Sequence, residues 1–351
     1  MPKGVEEHLR LGKGQIWNQI QDGWSMTDKT KLHYLLAKAQ HLEYQPETFI
    51  LANPKECVEF FKLVEQHPEY IWVTKVPTSS QGEGITVNPP MELIKEQWLD
   101  TTSSKLECKK TDRKDSLIQR YIRNPLLLEG KKMEIRSYWV LASVDPLIIF
   151  YRDGTVRLTT RDYKEEDWND PLIHITNTKQ QKKADPNYYK TEAERKWTLE
   201  KLADYLKTNN KIEDTNKWLD QLRADLKERI AVSVLANYPK LLGDMTMQGW
   251  DGRFELFGMD VILDSNLKMW LTELQDGPGL SLDPGVKRVL IPRMIKELTD
   301  LILEIDVKSR LGQKLDFPLT SRGEWQQLDM TQYLSFLPPH LVDKNWRLNV
   351  N

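Results

Sequence analysis

Two acids stand isolated inside apolar runs near the end of the chain. Asp260 lies in FELFGMDVIL, residues 254–263, and Glu273 lies in LKMWLTELQ, residues 267–275. Between the runs, Asp264-Ser265-Asn266 forms a turn signal, so the pair reads as an antiparallel hairpin. Centred there, the turn sets Asp260 opposite Glu273, with Gln275 one pleat further along the same face. Two carboxylates held so close repel unless positive charge joins them. A hard divalent ion would serve, Mg²⁺ above all, because it takes one or two carboxylates together with the phosphates of a nucleotide. Neighbouring Lys or Arg side chains would serve as well.

A second polar set precedes the hairpin. In YIWVTKVPTSSQGEGITV, residues 70–87, an apolar strand delivers Lys75, and Ser79, Ser80, Gly82 and Gly84 follow before another strand begins. Glycines let backbone N–H groups approach a phosphate, and Lys75 adds charge, which suits a phosphate-covering loop between strands. The GK[ST] ending of a P-loop is missing, and no helix follows Gly84 as a dinucleotide fingerprint requires. Further on, Gln119 ends a strand, and Lys132, Glu134 and Arg136 alternate along one face of the next. Arg157 follows an expected Asp153-Gly154 turn, and HITNT sets His174, Thr176 and Asn177 at a loop edge. Each block alone has a structural explanation; together they supply the cations and hydrogen bonds a triphosphate needs. No Ser/His/Asp or Cys/His pattern for covalent catalysis stands out.

These groups need strands to carry them and helices to back the strands. Leu219, Leu222, Leu226, Ile230 and Val234 recur at intervals of three and four, which predicts a helix of roughly 25 residues ending near Tyr238-Pro239. Thr191 and Glu194 predict a capping box ahead of a helix bearing Leu199, Leu202 and Leu206. Other helices are expected over about 29–43, 54–66, 91–99 and 286–305, the last bent or restarted at Pro292. Strands are expected over 70–76, 85–87, 116–121, 134–144 and 147–151, and the polar stretches 101–115 and 177–190 read as surface loops.

At 351 residues with 39% hydrophobic content, 12 Trp and 12 Tyr, the chain can bury a large core in two or three lobes. Fifty Lys and Arg against 52 Asp and Glu leave no basic field to attract nucleic acid. Cys57 and Cys108 form no CxxC or Cys/His cluster, a usage that fits a reducing cytosol. The opening MPKGVEEHLRLGKG lacks the apolar stretch of a signal peptide, and no apolar run approaches the roughly 18 residues of a membrane span. The expectation is a cytoplasmic protein with neither a nucleic-acid nor a membrane partner.

The order of these blocks resembles the tubulin tyrosine ligase-like family of ATP-grasp carboxylate-amine ligases. That family's pattern runs as a WxxKP-type strand with a GxGI loop, QxYxxNPLL, KFDIR, YREGxxR, HLTN and FELxGxDxxxD…WLxExNxxP. Here the blocks read IWVTKVPTSSQGEGI, QRYIRNPLLLEGKKMEIR, YRDGTVR, HITN and FELFGMDVILD…WLTELQDGP.

The resemblance implies an α+β, ATP-grasp fold in which two lobes with antiparallel sheets sandwich the nucleotide. The lobes would be residues 15–122 and 123–318, with 1–14 a lead and 319–351 a tail. ATP and Mg²⁺ are the implied cofactors. Lys75 would hold phosphates beneath Gln81, Gly82, Gly84 and Ile85, and Gln119, Arg120, Tyr121 and Ile122 would line the adenine. Glu134 and Thr176 would stand beside the nucleotide. Lys132, Arg136, Arg157 and Asn177 would face the reacting groups, and Asp260, Glu273 and Gln275 would hold the metal. Lys29 matches an early family lysine, with Lys31 as an alternative. Glu134 stands where the pattern has Asp, and Gln275 where it has Asn.

The implied activity adds Tyr, Glu or Gly to a protein carboxylate, tubulin's C-terminal tail being one candidate, by a monomer that could associate with the cytoskeleton. A pseudoenzyme of the same fold, and a ligase for another peptide or a metabolite, are the alternatives. The match begins close to Met1, so the family's N-terminal α/β lobe is expected to be absent. The mixed charge of the tail likewise leads to no expectation of a basic microtubule-binding module.

Overall fold

The computed structural model describes residues 14–76, 82–100, 102, 105–110, 117–243 and 250–339. In chain order its principal elements begin with β1 (Trp17–Asn18), α1 (Lys29–Ala39), β2 (Thr48–Ile50), α2 (Pro54–Gln66), β3 (Trp72–Lys75), β4 (Ile85–Val87), α3 (Met91–Trp98) and β5 (Leu117–Arg120). They continue with β6 (Leu127–Leu128), β7 (Lys131–Ser143), β8 (Ile148–Leu158), α4 (Pro171–His174), α5 (Thr178–Ala184), β9 (Lys196–Trp197), α6 (Leu199–Thr208) and α7 (Thr215–Leu242). The last are β10 (Arg253–Leu263), β11 (Met269–Asp276), α8 (Val286–Arg310) and β12 (Gln326–Gln327). The class is α+β, as expected.

Two sheets form. The smaller runs β2-β5-β3-β4, all antiparallel. Phe60, Phe61, Trp72, Trp98 and Ile118 pack together between this sheet and helices α2 and α3. The larger sheet has β1, β10, β7, β8 and β12 in order, with β11 joining β10, β6 joining β7 and β9 joining β8.

Along β7 successive side chains take opposite faces, as the pleat requires. Met133, Ile135, Trp139 and Leu141 enter the core that also holds Leu222, Leu226, Ile230 and Val234 of α7. Tyr138, Val140 and Ala142 join the opposite core with Ile291, Met294, Leu298 and Leu301 of α8. Lys132, Glu134 and Arg136 continue that second face of the strand, where polar partners replace the apolar ones. Apolar residues behind and polar ones in front therefore fix how far the site extends.

Several sequence expectations change. The Asp153-Gly154 pair is no turn: β8 continues through it to Leu158. Gly154 sits where a Cβ would come within 2.0 Å of the Arg136 carbonyl oxygen, so the missing side chain lets β7 and β8 approach where their register shifts. The helix bearing Leu199 is capped by Thr198, whose hydroxyl accepts from the Lys201 N–H at 3.1 Å, rather than by the Thr191/Glu194 box. Part of 177–190 is helical, because α5 starts there with Asn177 as its N-cap. Helix α8 runs through Pro292 without a restart, and α7 passes Pro239 by less than one turn.

Cys57 and Cys108 are joined in a disulfide across 51 residues. Such bonds are uncommon in a reducing cytosol, so cysteine usage lends no support to the cytoplasmic expectation. Among the described residues, no helix is long and apolar enough to cross a membrane.

The tight β7–β8 approach has a testable consequence. Gly154→Ala should lower stability by on the order of 2–3 kcal/mol, because the added methyl meets backbone that cannot rotate away. Equilibrium denaturation measures this directly, and an unchanged midpoint would contradict the close approach.

Candidate active site

The site grows from strand register. Arg136 of β7 pairs with Asp260 of β10, Asp260 pairs with Glu273 of β11, and Glu134 of β7 pairs with Arg157 of β8. Four neighbouring strands thus carry one continuous row of charge. The expected opposition of Asp260 and Glu273 is present. The turn between β10 and β11 is tied by Asp264, whose Oδ1 accepts from Asn266 N at 2.9 Å and Lys268 N at 3.0 Å.

Just past Asp260 the register slips, so that Val261 faces Leu271 and Thr272 is left unpaired in a bulge. Thr272 Oγ1 lies 3.0 Å from the Asp260 carbonyl oxygen and 3.2 Å from Glu134 Oε1, two acceptors that share its one proton. Simple alternation would have pointed Thr272 away from the row, so the sequence pattern could not reveal it.

The charges of the row pair with one another. Arg136 Nη2 donates to Asp260 Oδ2 at 2.7 Å while its Nε donates to the other oxygen. Arg157 Nη2 lies 2.9 Å from Asp260 Oδ2 and donates to Glu134 Oε2 at 2.6 Å. Thr176 Oγ1 also donates to Glu134. Lys29 Nζ meets Glu273 at 2.7 Å, whereas Lys31 lies over the Trp24 ring, so Lys29 is the one of the two placed against the row. Burial alone would raise the Asp260 pKa, but Arg136 and Arg157 outweigh it and hold the carboxyl below its usual range. Burial likewise opposes the charge on Arg136, yet Asp260 keeps that guanidinium more basic than usual.

Gln275 completes this end of the row. Its Oε1 accepts from Arg136 Nη2 at 2.8 Å, and its Nε2 donates to Glu273 Oε2 at 2.6 Å and Asp260 Oδ2 at 3.2 Å. Gln275 is therefore within hydrogen-bonding reach of both Asp260 and Glu273. Among the described residues, no three His, Cys, Asp or Glu side chains converge as a metal cage. The two carboxylates instead fit an ion that completes its shell with water and phosphate, the habit of Mg²⁺, and Gln275 would join them through its oxygen only with its amide turned over, since it presents Nε2 to both acids. Arg136 and Lys29 neutralise the acids in the arrangement described here, so both ways of balancing them fit this donor set.

The smaller sheet faces the row. Lys75 Nζ donates to Gln119 Oε1 at 2.6 Å, and Gln119 Nε2 donates to Thr48 Oγ1 at 2.8 Å, fixing the amide's orientation. Burial, assisted by Lys29, lowers the Lys75 pKa to about 8. Lys132 is buried too, its ammonium donating to the Tyr121 hydroxyl and the His174 carbonyl, each at 3.0 Å, and burial brings its pKa to about 7. His174 hydrogen-bonds Tyr121 at 2.9 Å and the Asp167 carbonyl at 3.1 Å; burial, then Lys132, lowers its pKa to about 4, so it is a neutral core histidine. Gly82 and Gly84 both take positive φ, and a Cβ on Gly82 would press on Asn177 and Gln180, so this end of the loop lies against the start of α5. Asn177 accepts from Lys179 N at 2.9 Å as the cap of that helix.

One cavity gathers most of the predicted nucleotide set: Lys75, Gly82, Ile85, Gln119, Arg120, Tyr121, Ile122, Lys132, Glu134, Thr176, Arg157, Asn177, Asp260 and Glu273 line it. Gly84 lies beside it, and Gln81 falls outside the described residues. A second cavity shares Lys29, Arg157, Asn177 and Glu273 as walls and adds Arg136 and Gln275. Two cavities thus meet at the charged row, an arrangement suited to bringing an anionic nucleotide against a second substrate.

Similar proteins share this sequence at length. The chain is 33% identical over 332 residues to the "Protein polyglycylase TTLL10" of Macaca fascicularis, covering 92% of this chain and 51% of the relative. It is 33% identical over 291 residues to the "Inactive polyglycylase TTLL10" of Homo sapiens, covering 80% and 41%. To the "Probable alpha-tubulin polyglutamylase Ttll1" of Tetrahymena thermophila it is 28% identical over 269 residues, covering 76% and 62%. The chain spans about half the length of the TTLL10 relatives it matches. A model of the Tubulin-tyrosine ligase family matches residues 7–310, and with the relatives' identity across most of the chain it shows that this protein belongs to that family.

Proposed function

We propose that the protein is an ATP-dependent carboxylate-amine ligase that adds an amino acid to a protein carboxylate. The observation that carries this reading is the charged row where the two cavities meet. ATP occupies the cavity between the sheets, with its base beside Arg120, Tyr121 and Ile122 and its phosphates near Lys75, Gly82 and Gly84. Asp260, Glu273 and Gln275 would hold Mg²⁺, which would neutralise phosphate charge.

The acceptor carboxylate attacks the γ-phosphorus; the bond to the bridging oxygen breaks, giving an acyl phosphate and ADP. A free amino group then attacks the acyl carbon, phosphate leaves, and an amide forms as the nitrogen loses its proton. Arg136 and Arg157, freed from their carboxylates as ligands enter, face the oxygens on which charge moves, and Lys132 adds a cation on the nucleotide side. Positioning and electrostatics suffice for such transfer, and no covalent nucleophile is required. Tubulin is the acceptor we favour, because relatives carry tubulin polyglutamylase names. Cytoskeletal association would follow from that acceptor.

One observation favours a second reading, a nucleotide-binding pseudoenzyme. Gln275 stands where the family pattern has Asn, it bonds both acids and Arg136, and a relative is named inactive. The two readings give opposite signs for Gln275→Asn. An active ligase whose surroundings fit the longer amide should lose roughly tenfold in turnover. A decayed site should show negligible wild-type turnover and some recovery in the variant. Mg²⁺-dependent ADP release, measured with tubulin and free amino acids, separates them: robust wild-type turnover supports the ligase, and rescue by Gln275→Asn alone refutes it.

The buried lysines give a pH dependence with a definite sign. In the free protein Lys75 and Lys132 lose their protons near pH 8 and 7. Phosphate beside them favours the charged form and raises both values. Nucleotide binding at pH 8.5 should therefore take up protons, and affinity should fall as pH rises above about 7. Calorimetry in buffers of different ionisation enthalpy reads the uptake, and its absence would remove both lysines from the phosphates.

A further inference from the structure

The second cavity holds an ion cluster outside the charged row. Asp283, just before α8, accepts Lys196 Nζ at 2.9 Å, Lys182 Nζ at 2.9 Å and Lys287 Nζ at 3.2 Å. Glu192 accepts Lys196 at 2.6 Å and lies 3.1 Å from Lys182. Lys287 also donates to Ser281 Oγ at 2.8 Å. Three ammonium groups thus share two carboxylates, leaving one positive charge in excess. The other Glu192 oxygen is buried without a hydrogen-bond partner among the described residues, so the cluster's own geometry leaves it incompletely satisfied.

A cluster that served only to lock α5 to α8 would gain from balanced charge, because an uncompensated buried cation is costly. This one sits against open space. Lys182, Ser281, Asp283 and Lys287 line the same cavity as Arg136 and Arg157. The side chain of Lys196 is sealed at 2% exposure, while those of Lys182 and Lys287 keep 24% and 11%. Burial lowers the Lys287 pKa despite Asp283, whereas Asp283 and Glu192 outweigh burial and raise that of Lys182. The same cavity also carries Asp28, Glu273 and Asp276. A ligand with one negative and one positive end satisfies both groups.

The geometry points to a carboxylate subsite at Lys182, Lys287 and Ser281 that holds the free amino acid substrate by its carboxylate, leaving its amine toward the charged row. This rests on the ligase reading for the identity of the substrate. It adds where that substrate sits, on the far side of Arg136 and Arg157 from the nucleotide. An acidic acceptor tail offers the same chemical group, so the test must tell the two sources apart.

Lys182→Gln, Lys287→Gln and Lys287→Arg are compared with wild type after loading with a non-hydrolysable ATP analogue. Binding of free glycine, glutamate and tyrosine, and of an acidic peptide with blocked termini, is then measured by calorimetry. Binding of at least one free amino acid should weaken about tenfold or more in both Gln variants and recover largely in Lys287→Arg, with analogue and peptide affinity unchanged. Analogue binding reports folding; if Lys287→Gln is unfolded, the more exposed Lys182→Gln carries the comparison. Wild-type affinity for amino acids in folded Gln variants, loss of peptide binding alone, or no amino acid binding by wild type would each overturn the subsite. Parallel ligation assays keep the two claims apart. Amino acid binding through these lysines without any product would refute the ligase reading, whereas ligation with an unchanged KM for the amino acid in both Gln variants would refute the subsite.

Discussion

The register of four adjacent strands governs this protein. Arg157 on β8, Glu134 and Arg136 on β7, Asp260 on β10 and Glu273 on β11 stand beside one another only because the ladders align them. A slip of one residue in any ladder would turn one member of the row into the apolar core behind it. The cores on both faces forbid that slip. Trp139 and Phe257 stack at 4.3 Å on the α7 side, and Tyr138 and Val140 are buried on the α8 side. Packing that carries no charge therefore sets the spacing of every charge in the site.

The row is self-neutralised in the arrangement described here. Asp260 accepts two guanidinium groups, Glu273 pairs with Lys29, and Glu134 holds Arg157 and Thr176. The pairs on Asp260 and Glu134 are buried, and removing one partner alone would leave a costly charge, while Lys29 and Glu273 are partly exposed. A nucleotide with its cation offers a matched exchange, cation to the acids and phosphates to the released basic groups. On the proposed reading substrate binding is thus a swap of ion partners, and it need not create charge in a dry cleft.

The hairpin was legible because Asp264 supplies turn chemistry, although beside the turn the pairs are Val261–Leu271, Ile262–Trp270 and Leu263–Met269, and Asp260 meets Glu273 only across the bulge. The bulge at Thr272 was not, since one extra residue leaves no local mark. Asp153-Gly154 looked like a turn because that dipeptide favours one, yet here Gly154 serves the close approach of β7. Helix α5, TKQQKKA, escaped because it has no apolar period; its anchor is Gln181, which bonds Thr160, Pro171 and Ile175. Polar anchoring of that kind leaves no periodicity to read, and the Cys57–Cys108 bond joins segments 51 residues apart. The lysine cluster was invisible for the same reason, since Lys182, Glu192, Lys196, Asp283 and Lys287 come from separate segments.

The central claim is that Asp260 and Glu273 exchange basic partners for a metal ion when nucleotide binds. A crystal structure with Mg²⁺ and a non-hydrolysable ATP analogue tests it most directly. The account predicts an ion about 2.0–2.1 Å from oxygens of both carboxylates, with Arg136 released from its two bonds to Asp260 and turned toward phosphate or the second cavity. A bound nucleotide with Arg136 still holding Asp260 by both nitrogens, and the ion ligated elsewhere, would contradict it.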